Sequence, residues 1–240
     1  MDTLKFNKKD VKIIAHRGVS GLECENTNAA FVAAGNRSYF GIETDVHITA
    51  DGKFAIIHDS NTGRVSEGSD MVVEESNFED LRKLYLCTRD ADKNRSDLVI
   101  PELFGYIGIC KKYEKIAVLE LKEDMPAEGI KKIYDVIKEF DYLENTIFIS
   151  FAWDNLIKLK DIDSSLNVQF LTDKCDDELI EKMKKNGIDL DIYYKPVTKE
   201  LVQKLHEKDI KINCWTCNTV EEGEELVSYG VDFITSNILE

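Results

Sequence analysis

Five places in the sequence put reactive side chains where apolar runs end. His16-Arg17-Gly18 follows KIIA, Glu43-Thr44-Asp45 lies in FGIETDV, and His58-Asp59 follows FAII. Glu120-Leu121-Lys122 follows KIAVL, and Trp215 lies near the end of IKINCWT. On a strand, residues two apart share a face, so Glu43 pairs with Asp45 and Glu120 with Lys122. Glu43, Asp45 and Glu120 converging on one point would repel unless a cation sat among them. An all-oxygen set suits one hard divalent ion, Mg²⁺ or Ca²⁺, better than zinc. Arg17 and Lys122 add positive charge beside it, suited to an anionic oxygen and above all to phosphate. His16 and His58 titrate near neutral pH and offer an acid and a base. A Lewis acid, a base for the nucleophile and an acid for the leaving alkoxide are the parts of phosphodiester cleavage.

Such convergence needs a fold that gathers strand ends. Strand-like runs occur at 11–16, 40–46, 54–58, 115–121, 146–151, 167–171, 188–194, 210–216 and 231–235. They are rich in Ile, Val, Phe and Tyr, and several are nearly continuous in apolar residues, as buried parallel strands are. Amphipathic stretches at 27–36, 127–140, 153–161, 176–186, 198–208 and 220–228 read as helices. In 198–208, Leu201, Val202 and Leu205 form the apolar stripe and Thr198 the expected N-cap. The alternation predicts a (β/α)8 TIM barrel, with a doubly wound open sheet as the alternative.

Nine runs are one more than a barrel needs. One run is either a helix end or an extra strand; the Asp51-Gly52 turn leaves no room for a helix between the second and third runs, and the link from Asp45 to Phe54 is long enough to cross the barrel once in extended form. Residues 60–110 break the alternation, with a weak helix at 76–86. They read as a small insertion after the third strand, at the end of the barrel where sites form.

The 240 residues fit a single barrel domain spanning 1–240, with 43% apolar residues and only three prolines. The net charge of −15 argues against nucleic acid and anionic lipid as partners. It also means that an anionic substrate needs a locally positive site. With no apolar stretch of signal or membrane-span length, and six mostly scattered cysteines read as reduced thiols, the expected setting is the cytoplasm, without stable membrane insertion.

The ordered segments IIAHRG (13–18), ENTNAAF (25–31), GIETDV (41–46), DGK (51–53), IIHD (56–59), IPEL (100–103), VLELK (118–122), ISF (149–151), NCWTCN (213–218) and GVDFIT (230–235) resemble the glycerophosphodiester phosphodiesterase family over nearly the whole chain. The resemblance implies Glu43, Asp45 and Glu120 as metal ligands and His16 and His58 as the acid–base pair. It implies Arg17 and Lys122 on the phosphate, Trp215 lining the pocket, and a small-molecule glycerophosphodiester as substrate. It implies attack by the glycerol 2-hydroxyl, a cyclic phosphate opened by water, and sn-glycerol 3-phosphate and an alcohol as products. The chain departs from the family pattern at Cys214 and Cys217, at the ending TSNILE, and at Ser60-Asn61-Thr62-Gly63-Arg64 after His-Asp.

Other readings stand beside these. His16 or Trp215 would serve as core residues elsewhere, and Glu43, Asp45 and Arg17 could form a structural ion network. Glu25 and Asn26 fit the site, while Asn26 or Thr27 also fits a helix cap. His47 is expected past the strand end at the surface, and His206 on a solvated helix face. Cys214 and Cys217 would face opposite ways if the strand ran through both, which disfavours a redox pair. A related phospholipase of the D type, releasing a stable cyclic phosphate, and a non-catalytic phosphoester-binding barrel are the competing functions.

Overall fold

The computed structural model describes residues 2–87 and 95–240. Strands β1 (Lys12–Ala15), β2 (Gly41–Ile48), β4 (Ile116–Leu121), β5 (Thr146–Ser150), β6 (Asn167–Thr172), β7 (Asp189–Tyr193), β8 (Ile212–Trp215) and β9 (Phe233–Ser236) pair in parallel. Their order is β1-β9-β8-β7-β6-β5-β4-β2, and β1 pairing with β2 closes the ring. Helices α1 (Asn28–Gly35), α3 (Leu103–Lys112), α4 (Ala127–Glu139), α5 (Trp153–Ile162), α6 (Asp177–Asn186), α7 (Lys199–His206) and α8 (Val220–Tyr229) follow successive barrel strands, and α2 (Phe78–Leu81) is a single turn within the insertion. The expected TIM barrel is the observed fold, and the open sheet is not.

The surplus strand is the third run. β3 (Phe54–Ile56) is antiparallel to β2, with Val46, His47 and Ile48 opposite Ile56, Ala55 and Phe54. The link does not cross the barrel. Thr49 N donates to Lys53 O at 2.9 Å and Lys53 N to Thr49 Oγ1 at 3.0 Å, with Gly52 at φ +76. A tight turn satisfies these groups locally, whereas an extended crossing would leave them to find partners in the mouth. β2 therefore runs on to Ile48. His47 is buried rather than at the surface, its Nε2 at 3.2 Å from the His58 carbonyl.

The insertion is shorter than 60–110, because 103–112 is barrel helix α3. Leu103, Tyr106, Ile107 and Cys110 are its buried residues, a stripe at i, i+3, i+4 and i+7. Gly105 and Gly108 weaken that signal in the sequence. Between β3 and α3, Val65, Val73, Phe78, Leu81, Leu86, Leu98 and Ile100 pack with Cys24, Ala55 and Ile57 into a small core of their own.

Inside the barrel, Ile14, Val118, Ile147, Ile149, Leu171 and Phe233 form one apolar cluster. His16 and Glu120 lie two residues beyond Ile14 and Val118, so the same faces carry ionisable groups at the C-terminal mouth. Thr198 caps α7 as expected, accepting from Leu201 N, and Thr27 rather than Asn26 caps α1. His206 is on an exposed face and meets Asp232 at 2.9 Å. β8 ends at Trp215, so Cys217 lies beyond the strand and the opposite-face argument does not apply. Cys214 and Cys217 are free and buried, and burial pushes both thiols up, Cys217 to about 12.

Glu240 ties the segment before β1 to the barrel. Its carboxylate accepts from Thr3 Oγ1 (2.6 Å), Ser38 N (2.6 Å), Ser38 Oγ (2.7 Å) and Lys5 Nζ (2.6 Å). Burial opposes its charge, but Lys5, Thr3 and Ser38 outweigh burial and bring its pKa down to about 2. The unfolded chain takes up this proton in the ordinary glutamate range, so between that range and pH 2 it binds more protons than the folded one. Stability falls as pH drops through this window. Glu240→Gln is expected to lose ~2 kcal/mol at pH 7 and progressively less between pH 5 and 3, as read by urea denaturation.

Candidate active site

His16-Arg17-Gly18 bridges two neighbours of β1. His16 N donates to Ser236 O at 2.8 Å on the β9 side, and Gly18 N to Glu43 O at 3.1 Å on the β2 side. Arg17 and Gly18 both take positive φ, +53 and +73. A Cβ on Gly18 would lie 2.6 Å from Ala30 Cβ and 2.9 Å from its carbonyl oxygen. The glycine is thus required by backbone conformation and by the approach of α1.

The reversal aims three groups inward. Arg17 N donates to Glu43 Oε2 at 2.8 Å, and its guanidinium lies between Glu25 (2.8 Å) and Asp45 (3.7 Å). His16 Nδ1 lies 2.6 Å from Asn237 Oδ1, and its Nε2 is 3.9 Å from Glu43. His58 enters from the β3 hairpin, its Nδ1 at 2.6 Å from Asp59 Oδ1. Lys122 Nζ is 2.7 Å from Glu120 and 3.5 Å from Asp45. His16, Arg17, Glu43, His58, Glu120 and Trp215 line one pocket at the barrel mouth. Asp45 and Lys122 lie beside it through these contacts.

Ligand atoms of Glu43, Asp45 and Glu120 all lie within 4.8 Å of one another, and all three residues are buried. Their environments separate them. Burial, then Asp45 and Glu120, push Glu43 well up, and burial and Asp45 raise Glu120 to about 8. Burial also opposes charge on Asp45, but Lys122, Arg17 and His58 outweigh it and hold this carboxyl well below the usual range. Among the described residues, Asp45 Oδ1 and Arg17 Nε are buried and make no hydrogen bond, with Lys122 Nζ standing 3.5 Å from the former. An orphaned carboxylate oxygen within an all-oxygen set fits a hard divalent cation, and an orphaned guanidinium N–H fits an anion. Burial and the neighbouring Arg17 bring His16 down to about 4, and burial also lowers His58.

Several contributors were missed or left open by the sequence. Asn26 donates to Asp45 Oδ2 at 2.8 Å and accepts from Thr44 Oγ1 at 2.7 Å, which orients the carboxylate. Asn237 sits just after β9, where a survey of every strand end would have found it. Asp191 on β7 lines the pocket, buried, and burial and Glu120 raise its carboxyl well up. Phe151 packs edge-on against Trp215, with centroids 5.7 Å apart. Asp59 is sequence-adjacent to His58, but its bond to the ring needed the fold to appear.

A charged pocket at the C-terminal mouth of a (β/α)8 barrel defines a class of barrel enzyme. The sequence profile of the glycerophosphoryl diester phosphodiesterase family matches residues 16–239, and the chain belongs to that family of phosphodiester hydrolases. It is 29% identical over 231 residues to a glycerophosphodiester phosphodiesterase of Caldanaerobacter subterraneus subsp. tengcongensis, covering 94% of this chain and 93% of the relative. A glycerophosphodiester phosphodiesterase of Bacillus altitudinis is 28% identical over 229 residues, covering 93% of each. Among solved structures, an Oleispira antarctica phosphodiesterase in complex with the product sn-glycerol-3-phosphate superposes with a TM-score of 0.86 at 22% identity, covering 98% of this chain and 96% of that one. A Silicibacter pomeroyi chain described as a glycerophosphoryl diester phosphodiesterase gives 0.86 at 22% identity, covering 95% and 90%. No helix among the described residues is long and apolar enough to cross a membrane.

Gly18→Ala is expected to destabilise the fold by ~2 kcal/mol or more, because it adds both backbone strain and overlap with Ala30. A thermal melt equal to wild type would refute this account of the motif.

Proposed function

We propose that this enzyme hydrolyses glycerophosphodiesters to sn-glycerol 3-phosphate and an alcohol, with one divalent cation, Mg²⁺ or Ca²⁺, at the barrel mouth. The supporting observation is the convergence at one barrel mouth of three carboxylates, two imidazoles and the fixed cations Arg17 and Lys122. Glu43, Asp45 and Glu120 would hold the ion. When bound, it supplies Lewis acidity at the phosphoryl oxygens. Arg17 and Lys122 bind the phosphate, and Trp215 lines the substrate pocket. His16 and His58 share the proton transfers. One takes the proton of the glycerol 2-hydroxyl as that oxygen attacks phosphorus, and the other protonates the departing alcohol. Water then opens the cyclic phosphate with the same pair. Asn237 and Asp59 engage the two Nδ1 atoms, which leaves each Nε2 for this work.

We take residues 1–240 as one domain, with the insertion part of it. The free thiols of Cys110, Cys214 and Cys217 suit a reducing compartment, and the cytoplasm is the proposed setting.

The direct test incubates the protein with glycerophosphocholine, with and without Mg²⁺, Ca²⁺ or EDTA, and assays glycerol 3-phosphate. Release that depends on the ion is expected. No turnover of any glycerophosphodiester with any metal would sink the reading, and a cyclic phosphate persisting as end product would favour the D-type phospholipase chemistry. His16→Ala and His58→Ala should each lower kcat by ~10²–10⁴-fold with the fold intact. Asp45→Asn should weaken Mg²⁺ or Ca²⁺ binding by at least ~10-fold in titration calorimetry. Unchanged affinity would remove Asp45 from the proposed ligand set.

A further inference from the structure

One side chain of the insertion, Arg64, has its guanidinium forked twice, onto carboxylates that bond the pocket-lining residues Arg17 and His58. Its Nη1 and Nη2 donate to Oε2 and Oε1 of Glu25, each at 2.8 Å. Its Nε and Nη2 donate to Oδ2 and Oδ1 of Asp59 at 2.6 and 3.2 Å. Each carboxylate holds a second partner. Glu25 Oε1 accepts from Arg17 Nη1 at 2.8 Å, and Asp59 Oδ1 lies 2.6 Å from His58 Nδ1. The chain Arg17–Glu25–Arg64–Asp59–His58 is continuous between two residues that line the pocket.

This linkage answers a specific need. Arg17 follows barrel strand β1, but His58 follows β3, which hangs on β2 outside the closed ring. The β2–β3 ladder and the bond from Ile57 N to Asp45 O at 3.2 Å hold the backbone before His58, but they do not orient its side chain toward Arg17. A single exposed ion pair would contribute little to holding it. Two bidentate forks sharing one planar guanidinium fix direction as well as distance, which a lysine cannot do.

Resting on the phosphodiesterase reading above, we infer that Arg64 is a positioning residue. It holds the phosphate-binding Arg17 and the proton-transferring His58 in mutual register by clamping Glu25 and Asp59. Its forks are taken up by the two carboxylates, so it acts through them rather than on the substrate. Misplacing either group on the ångström scale is enough to slow a positioned reaction by orders of magnitude.

The test compares wild type, Arg64→Ala and Arg64→Lys on glycerophosphocholine with saturating Mg²⁺ or Ca²⁺. Melting curves and cation calorimetry run on the same samples. Both variants are expected to keep the wild-type melt and cation affinity while kcat falls by ~10–100-fold. Millimolar guanidinium, but not urea or NaCl at equal concentration, should restore part of the rate of Arg64→Ala. Either variant turning over near the wild-type kcat overturns the inference, as does loss of activity in Arg64→Ala without rescue by guanidinium. A wild type inactive on every glycerophosphodiester would instead refute the phosphodiesterase reading, so the two failures are separable.

Discussion

Three buried carboxylates facing one another make up the constraint around which the barrel mouth is organised. At the separations among Glu43, Asp45 and Glu120, like charges repel by roughly 3 kcal/mol per pair even with substantial screening. The protein offsets this in two ways. Lys122 sits against Glu120 and Asp45, and Arg17 sits against Asp45, so Asp45 stays ionised while Glu43 and Glu120 are pushed toward the neutral form. A divalent cation would complete the compensation. The same arrangement that makes the acids uneasy neighbours makes them a ready site for a hard ion.

The rest of the mouth follows from holding that cluster in place. Glu43 and Asp45 share a face of β2, and Glu120 stands directly opposite Asp45 on β4 in the parallel register. The left-handed turn at Arg17-Gly18 brings a backbone N–H onto Glu43 and a guanidinium toward Asp45. Asn26, one residue before the α1 cap, anchors the second Asp45 oxygen. A site of fixed charges needs such rigidity, because electrostatic help depends on dipoles and ions that need not reorganise during reaction.

His58 differs from the other groups in following a hairpin strand laddered to β2 instead of a strand of the closed ring. It arrives on a hairpin whose far side is covered by the small core around Val65, Phe78 and Leu98. Its backbone carbonyl meets buried His47, and its ring meets Asp59. An insertion that could pass for a surface excursion therefore packs against the hairpin that carries His58.

Much was legible before any coordinates. Strand-end charges at His16, Glu43, Asp45, His58, Glu120 and Lys122 stood out because a packed core excludes unpaired charge, and the β-α rhythm predicted the barrel that gathers them. Those signals are local: residue type, and spacing of two on a strand or three and four on a helix. What the sequence could not reveal depended on partners distant along the chain. Whether Phe54–Ile56 crosses the barrel or folds back is decided by competing hydrogen bonds across the Asp51-Gly52 turn. Whether His47 is buried depends on how far β2 runs beside β3. The helix at 103–112 carried its stripe openly, but two glycines and a polar neighbourhood obscured it. The bonds of Asn26 to Asp45, Asn237 to His16, and Arg64 to both Glu25 and Asp59 join segments up to 221 residues apart. The sequence by itself determined which ionisable groups stand at the ends of which strands. Only the tertiary structure decided which neighbours hold them, because orientation and burial are set by contacts that no local pattern encodes.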